Sequence, residues 1–291
     1  MNNNLDKYKQ IYFIRKFEEL LFNLFDKGFL NGTIHTCIGQ EADAVGVIQN
    51  LKRSDIIFSN HRCHGHYLAH GGDPYLLLRE IMGYSDGLCG GIGGSQHICD
   101  KNFYSNGIQG SYMPIILGMA FAEKYFHKSD KIVVGFIGDG TLGQGTVYES
   151  LNMISLYDVP VLLVIENNGI AQSTPLKNNF SGSISKRIDG FNIKHDEISS
   201  TDVDAIYDIY KKNVEYVRTK KKPFVGVINT CRLGPHSKGE DTRDSEYLLK
   251  LKEKDPIKII ESKIPSDDRD RLIEIVDKEI NLLLTKTGVC L

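Results

Sequence analysis

Residues 132–141 read Ile132-Val133-Val134-Gly135-Phe136-Ile137-Gly138-Asp139-Gly140-Thr141, and this stretch decides the fold. A continuous apolar run with β-branched residues is typical of a strand that is covered on both faces. A second such run, 161–165, ends at Glu166-Asn167-Asn168, and a helical pattern lies between the two runs. One β-α-β unit of this kind places two parallel strand ends side by side at one sheet edge.

The same alternation extends outward from this unit. Apolar spacing predicts helices over 5–30 (with a stop at Gly28), 41–51, 111–126, 145–157 and 202–218, and strands over 55–59, 132–137, 161–165 and 224–230. We therefore expect an α/β fold, with a parallel sheet and helices on both faces. The expected organisation is a single domain over 1–291, with an N-terminal helical segment and C-terminal helices.

Composition narrows the class of protein. The 291 residues are 41% hydrophobic and 25% charged, with a net charge of −2, so nothing favours a nucleic-acid partner. The six cysteines form no C-x-x-C pair, and there is neither an apolar signal core nor a run of 18 apolar residues. These features predict a cytoplasmic protein with reduced thiols and without a membrane partner.

The two strand ends predict a metal site. Asp139 offers a carboxylate oxygen, and Asn167-Asn168 offer neutral amide oxygens. With one backbone carbonyl, such ligands suit Mg²⁺ and leave positions for two phosphate oxygens and a water. Gly138 and Gly140 let backbone amides approach an anion near a helix N-terminus. A Gly-Asp-Gly turn alone is a weak signal, but with Asn-Asn at the end of the next strand it is a strong one.

A glycine-rich segment lies before this unit, in the stretch Cys89-Gly90-Gly91-Ile92-Gly93-Gly94-Ser95-Gln96-His97. So many glycines indicate a loop whose backbone comes close to something, although a flexible surface linker is the alternative.

These motifs resemble the thiamine diphosphate enzymes. More narrowly, the chain is similar to the α subunit of two-chain 2-oxoacid dehydrogenase E1 components of the pyruvate, branched-chain and acetoin types. The resemblance runs from about Arg15 to Pro256, through motifs at 15–19, 35–42, 62–66, 93–97, 106–110, 138–149 and 232–237.

The resemblance implies a thiamine diphosphate-binding fold, of which this chain is the diphosphate-binding module, with thiamine diphosphate and Mg²⁺ as cofactors. Asp139, Asn168 and the carbonyl of Ile170 would hold the metal, and the implied cofactor-binding residues are His35, Arg62, Gly107, Gln109, Gly138, Asp139, Gly140, Thr141 and Asn168. His64 and His236 match the two active-site histidines, since imidazole can donate and accept protons near neutral pH.

A second chain is also implied. In two-chain relatives the β subunit carries the pyrimidine-binding module and the glutamate that activates the cofactor, in an α₂β₂ assembly. Glu41 and Glu166 are candidates for that glutamate here, but both are interpreted as structural. We predict that the isolated chain is inactive. The small-residue helix 111–122 either packs against another subunit or lies in the interior.

The substrate implied is a small 2-oxo acid, which is decarboxylated before the acyl or aldehyde unit is passed on. Gln96 and Gln109 depart from the family pattern near the ring and channel and suggest an unusual substrate, whereas His61, where the family commonly has tyrosine, puts one phosphate contact in question. A lipoyl-bearing acyltransferase is one possible acceptor, but the short termini favour work outside such assemblies.

Two other interpretations stay open. The chain could be half of a split transketolase or of an acyloin-forming carboligase, since these enzymes need the same diphosphate site. The cluster His61, Cys63, His64, His66 and His70 could bind zinc, because His66 and His70 have the i, i+4 spacing of metal ligands on a helix.

Overall fold

A computed structural model describes residues 3–289 except 31, 238–240 and 242. Its strands are β1 (Ile56–Ser59), β2 (Cys99–Asp100), β3 (Phe103–Ser105), β4 (Val133–Gly138), β5 (Val161–Asn167), β6 (Ile170–Ala171), β7 (Thr174–Pro175), β8 (Lys194–Ser199) and β9 (Phe224–Asn229). The central sheet of the described residues has seven strands in the order β2-β3-β1-β4-β5-β9-β8. Within this central sheet only the β2–β3 pair is antiparallel, and β6 and β7 form a separate antiparallel pair, so the predicted α/β fold with a parallel sheet is confirmed.

Helices cover both faces of the sheet. They are α1 (Asn3–Asp26), α2 (Glu41–Ile48), α3 (Cys63–Ala69), α4 (Pro74–Ile81), α5 (Met113–Phe121), α6 (Gly145–Leu156), α7 (Leu176–Asn179), α8 (Ile184–Asp189), α9 (Val203–Lys220), α10 (Ser245–Lys252), α11 (Pro256–Glu261) and α12 (Ser266–Lys286).

Alternate side chains of each central strand enter two different cores, because successive residues of a strand point to opposite faces. Val134 and Phe136 pack in the core formed with helices α1, α2 and α9, whereas Val133 and Ile137 pack in the core formed with α5 and α6. Burial on both faces explains why β4 and β5 read as continuous apolar runs in the sequence.

The predicted bounds hold to within a few residues for the central elements, and differ at the periphery. The predicted helix 111–126 is α5 followed by a π-helical turn, Ala122–Phe126. β8 was not predicted, because this edge strand is polar and largely exposed. Within the described residues, no helix has both the length and the apolar character needed to cross a membrane.

The carboxyl ends of β1, β4 and β5 meet at one edge of the sheet. β4 pairs with β5 in parallel register from Val133 opposite Val161 to Gly138 opposite Glu166. Asp139 and Asn167 therefore leave the sheet beside each other, as the β-α-β pattern predicts. β1 ends at Ser59 on the far side of β4, and the chain then turns into α3.

Candidate active site

A cavity of about 350 Å³ opens at this edge of the sheet. Eleven of the twelve residues that the sequence singled out line it, and His64 is the exception. The eleven are His35, Arg62, Gly107, Gln109, Gly138, Asp139, Gly140, Thr141, Asn168, Ile170 and His236. They come from segments spread over two hundred residues, so the fold gathers one site from distant parts of the chain.

Asp139 begins a short 3-10 turn, Asp139–Gly143, directly after β4. Its side chain is buried, and Oδ2 has no hydrogen-bond partner. Burial raises the pKa of the Asp139 carboxyl to about 6, against the opposing effect of nearby backbone N–H groups. A buried carboxylate oxygen without a partner is costly unless a cation or donor reaches it. Asp139 therefore suits a metal ion.

Asn168 follows β5 at the same edge. Its Oδ1 accepts a hydrogen bond from the backbone N–H of Ile170 at 3.2 Å, and its Nδ2 donates weakly to Gln40 Oε1 at 3.4 Å. Gly169 follows in the left-handed region, with φ at +77°, and so turns the chain back across the cavity. This turn brings Ile170 into the cavity lining.

Gly140 lies where two backbone segments pass close to each other. A Cβ atom at this position would come within 2.6 Å of the Cβ of Ala171. A side chain here would therefore fill the space between the turn after β4 and the segment that carries Ile170. The glycine keeps that part of the cavity open.

Two buried arginines lie at the cavity: Arg62 lines it, and Arg232 contacts two residues of the lining, His236 and Gln172. Arg62 donates to the carbonyl of Thr36 at 2.7 Å and to that of His236 at 2.9 Å. Arg232 is equally buried, and its Nε has no partner. Among the described residues neither guanidinium forms an ion pair with a carboxylate. Burial lowers the pKa of Arg62 to about 9 and that of Arg232 to about 10, and both remain charged at neutral pH.

These arginines fix the proton on His236. Both Arg62 and Arg232 approach its Nδ1 at 3.1 Å, and a guanidinium can only donate. Nδ1 is therefore an acceptor, and the ring proton is on Nε2. Burial and the two guanidiniums lower the pKa of His236 to about 4, so the ring is neutral near pH 7. The sequence pointed to the 232–237 loop but gave Arg232 no role.

Three imidazoles meet beside these arginines. The ring centroids of His35 and His236 are 4.9 Å apart, and those of His35 and His61 are 4.8 Å apart. Burial, followed by the Arg62 charge, lowers the pKa of His35 to about 3 and that of His61 well below its usual value. All three rings are therefore neutral at physiological pH.

The predicted zinc ligands do not come together. Among the described residues the trio that could hold a metal is instead His35, His61 and His236. The arginines already occupy the Nδ1 lone pair of His236, and two positive charges lie next to it. Both features oppose a zinc ion at this place.

His64 lies outside the cavity and is completely buried. Its Nδ1 is 3.0 Å from Glu18 Oε2, and its Nε2 is 3.1 Å from the carbonyl oxygen of Ser95. Both ring nitrogens are thus engaged by protein groups. The catalytic role given to His64 stays a prediction without a contact to the cavity, whereas His35 and His61 share the space beside His236.

The two glutamates interpreted as structural differ in placement. Glu41 is fully buried away from the cavity, where it accepts from Arg15 Nε at 2.5 Å and from the N–H of Gly39 at 2.9 Å. Glu166 lines the cavity beside Gly138 and accepts from Asn60 Nδ2 at 2.9 Å. Only Glu166 is therefore placed to influence a ligand.

The fold and the site together describe a parallel-sheet protein whose strand ends form a cavity that holds the Asp139 carboxyl and the Arg62 guanidinium. Comparison with known proteins agrees with the predicted family. A family model described as dehydrogenase E1 component matches residues 9–276. The α subunit of the pyruvate dehydrogenase E1 component from Rickettsia bellii is 34% identical over 287 residues, which cover 95% of this chain and 88% of that protein.

A second relative carries a different name. The α subunit of acetoin:2,6-dichlorophenolindophenol oxidoreductase from Cupriavidus necator is 36% identical over 242 residues, which cover 81% of this chain and 72% of that protein. The pyruvate dehydrogenase E1 α subunit from Zymomonas mobilis is likewise 36% identical, over 82% of this chain and 69% of that protein. The chain belongs to the dehydrogenase E1 component family.

Proposed function

We propose that this chain is the α subunit of a two-chain, thiamine diphosphate- and Mg²⁺-dependent enzyme that decarboxylates a 2-oxo acid and passes on the acyl or aldehyde unit. One observation carries the proposal: Asp139 Oδ2 in the cavity lining has no hydrogen-bond partner, and two buried arginines, which form no ion pair with a carboxylate among the described residues, contact the same site. A ligand that brings both a divalent cation and a diphosphate would neutralise both sides at once.

The residues present fit that ligand. Asp139, Asn168 and the carbonyl of Ile170 would hold Mg²⁺, because carboxylate, amide and carbonyl oxygens are its usual protein ligands. Gly138, Gly140 and Thr141 would lie along the diphosphate, and His35 and Arg62 would face its other side. Gly107 and Gln109 would contact the aminopyrimidine end. The carboxylate and arginine placements support this distribution.

When bound, thiamine diphosphate supplies a carbon nucleophile for the keto group and an acceptor for the electron pair released with carbon dioxide. The protein side chains hold charge and protons around it. His236, with its proton on Nε2, can donate a hydrogen bond to an anionic oxygen without itself carrying charge. His35 stays neutral next to Arg62.

A β subunit that carries the pyrimidine-binding module completes the proposal, in an α₂β₂ assembly. Among the described residues Glu166 is the glutamate of the cavity lining, and it lies at the strand edge beside the proposed metal ligands.

One face of α5 packs on the sheet, while Ile115 on its other face is 47% exposed. Phe126, after α5, and Met153 and Leu156, on the neighbouring helix α6, are also exposed. Such surfaces mark interaction sites in soluble proteins.

The proposal also covers the domain organisation and the location of the protein. A single domain over residues 1–291 is supported by two cores that share one sheet. A cytoplasmic location is supported by the free thiols of Cys37, Cys63, Cys89, Cys99 and Cys231.

The test is reconstitution with a β-type chain of a dehydrogenase E1 component. Carbon dioxide release from a panel of 2-oxo acids would be measured with thiamine diphosphate, Mg²⁺ and 2,6-dichlorophenolindophenol as electron acceptor, and carbon–carbon ligation products would be sought in parallel. We expect turnover by the pair, none by the isolated chain and none by an Asp139→Ala pair. Asp130→Asn, an exposed change in an ion pair with Lys52, is the matched control. Turnover by the single chain would contradict the two-chain proposal.

A further inference from the structure

A buried chain of side chains crosses the interior behind the cavity. Glu18 Oε2 is 3.0 Å from His64 Nδ1, and His64 Nε2 is 3.1 Å from the Ser95 carbonyl oxygen and 2.9 Å from Ser95 Oγ. Glu18 and His64 have no exposed surface. We refer to these three residues as the Glu18–His64–Ser95 strut.

The strut joins its members through both ring nitrogens of His64. Ser95 presents its carbonyl oxygen and its hydroxyl to Nε2, and Glu18 presents a carboxyl oxygen to Nδ1. His64 thus links the two residues from a position outside the cavity lining.

The strut connects three segments that line the cavity. Glu18 Oε1 accepts from the N–H of Cys37 at 3.0 Å, in the segment that carries His35. His64 lies in the first turn of α3, directly after Arg62 and Cys63. Ser95 precedes Gln96, which lines the cavity and closely approaches Gly107.

The rest of the glycine-rich loop is held separately. Glu80 is fully buried and accepts the backbone N–H groups of Cys89, Gly91 and Gly94 at 2.6, 2.9 and 3.0 Å. Loss of the strut would therefore act mainly on the portion that follows Gly94, which is otherwise held by Cys63 Sγ at the Ser95 carbonyl (3.3 Å) and by Ser105 Oγ at the Gln96 carbonyl (3.0 Å). That portion carries Gln96.

We propose that His64 is a positioning residue that holds Gln96 in the wall of the cavity through Ser95. This inference rests on the proposed function and adds a specific role for a residue that does not touch the cavity. Gln96 and Gly107 lie together, on the side assigned to the aminopyrimidine and the substrate. The strut should therefore govern substrate binding more than diphosphate binding.

The experiment compares His64→Leu, which removes both contacts, with His64→Gln, which retains a donor, in the reconstituted two-chain enzyme. For His64→Leu we expect the KM for the 2-oxo acid to rise about tenfold, since small displacements at an oriented site are costly. We expect kcat and the Kd for thiamine diphosphate with Mg²⁺, measured by calorimetry, to change less than about threefold. His64→Gln should recover most of the loss, and His70→Gln, at the end of α3, is the matched control.

Two readouts separate positioning from other roles. In a Gln96→Ala background the His64→Leu change should add nothing further to KM, because coupled residues are non-additive. Additive effects, or a loss of kcat with a shifted pH profile, would overturn the proposal.

Amide hydrogen exchange of the full-length chain provides the second readout and needs no turnover. Exchange over 95–97 should accelerate in His64→Leu relative to His64→Gln, while exchange over 89–94 stays unchanged. Unaltered exchange over 95–97 would reject the strut. If the wild-type two-chain enzyme has no activity, the proposed function is rejected. The exchange measurement still decides whether the strut exists, because it needs no turnover. If His64→Leu does not fold, Ser95→Ala combined with His64→Gln replaces it in both measurements.

Discussion

The two sides of the cavity are built in opposite ways. The strand edge, Asp139 with Asn168 and Ile170, comes from one β-α-β unit, and backbone register places its oxygen atoms. The histidine–arginine wall, His35, His61, Arg62, Arg232 and His236, comes from three distant segments that side-chain contacts hold together. The edge offers negative and neutral oxygens, whereas the wall offers buried positive charge. A ligand that carries both signs of charge therefore fits between them.

The difference also concerns stability. At the strand edge, burial of the Asp139 carboxyl is unfavourable for the folded chain. The carboxyl can take up a proton and lose its charge, because its pKa is raised to about 6. The arginines of the histidine–arginine wall cannot lose their charge in this way, because guanidinium groups stay protonated at physiological pH. Two buried cations without a carboxylate ion pair among the described residues thus raise the free energy of the ligand-free chain, and an anionic ligand would lower it.

The largest expected effect is at the strand edge. Asp139→Ala should weaken Mg²⁺-dependent binding of thiamine diphosphate by about 100-fold or more, since about 2.7 kcal/mol of metal contact would be lost. Calorimetry on the two-chain complex at fixed Mg²⁺ measures it, with Asp130→Asn as the control. If Asp139→Ala kept full affinity, the proposed metal site at the strand edge would be wrong, and the contrast between the edge and the wall would no longer hold.

The wall should respond differently from the edge. Arg232→Met removes a buried charge but keeps the volume, so affinity for thiamine diphosphate should fall by about tenfold, or 1.4 kcal/mol. The ligand-free chain should be equally or more stable toward denaturant, because a desolvated cation is removed. A lowered free energy of unfolding together with unchanged affinity would show that Arg232 is structural, and Arg218→Met, which breaks an ion pair with Asp55, is the destabilising contrast.

The pH dependence of stability tests the neutral histidines. The folded chain protonates His236 only near pH 4 and His35 near pH 3, whereas the unfolded chain does so near 6.5. The unfolded state therefore binds more protons between these values, and stability is lost as pH falls from 6.5 toward 4. Below pH 6.5 the ligand-free chain should lose roughly 4 °C or more in Tm. The double change His35→Asn with His236→Asn should flatten this slope, while His127→Gln at the exposed His127 should not.

The sequence alone predicts the strand edge correctly, because the residues that form it lie next to each other in two short segments. An apolar run that ends in Gly138-Asp139-Gly140, and a second that ends in Asn167-Asn168, specify two adjacent parallel strands without any further contact. The same reasoning failed for β8, where Lys194 and Glu197 give an exposed edge strand little apolar pattern.

The wall could be predicted only in part, since it depends on long-range packing. Resemblance identified Arg62 and His236, but no local pattern shows that Arg232 also reaches His236, or that His61 and His35 come together. His64 illustrates the limit most clearly. It lies two residues after Arg62, yet the helical turn directs it into the interior toward Glu18.

The smallest expected effect sharpens the account of the strand edge. Ile170 would contribute its backbone carbonyl, which survives a change of side chain, so Ile170→Ala should alter Mg²⁺-dependent affinity for thiamine diphosphate by less than about threefold, or 0.7 kcal/mol. Asn168→Ala, two residues earlier, should cost far more, because it deletes the side-chain oxygen itself. Calorimetry on the two variants side by side gives the ratio. Equal losses would mean that the segment 168–170 acts through its shape alone, and the edge would then resemble the wall in depending on packing.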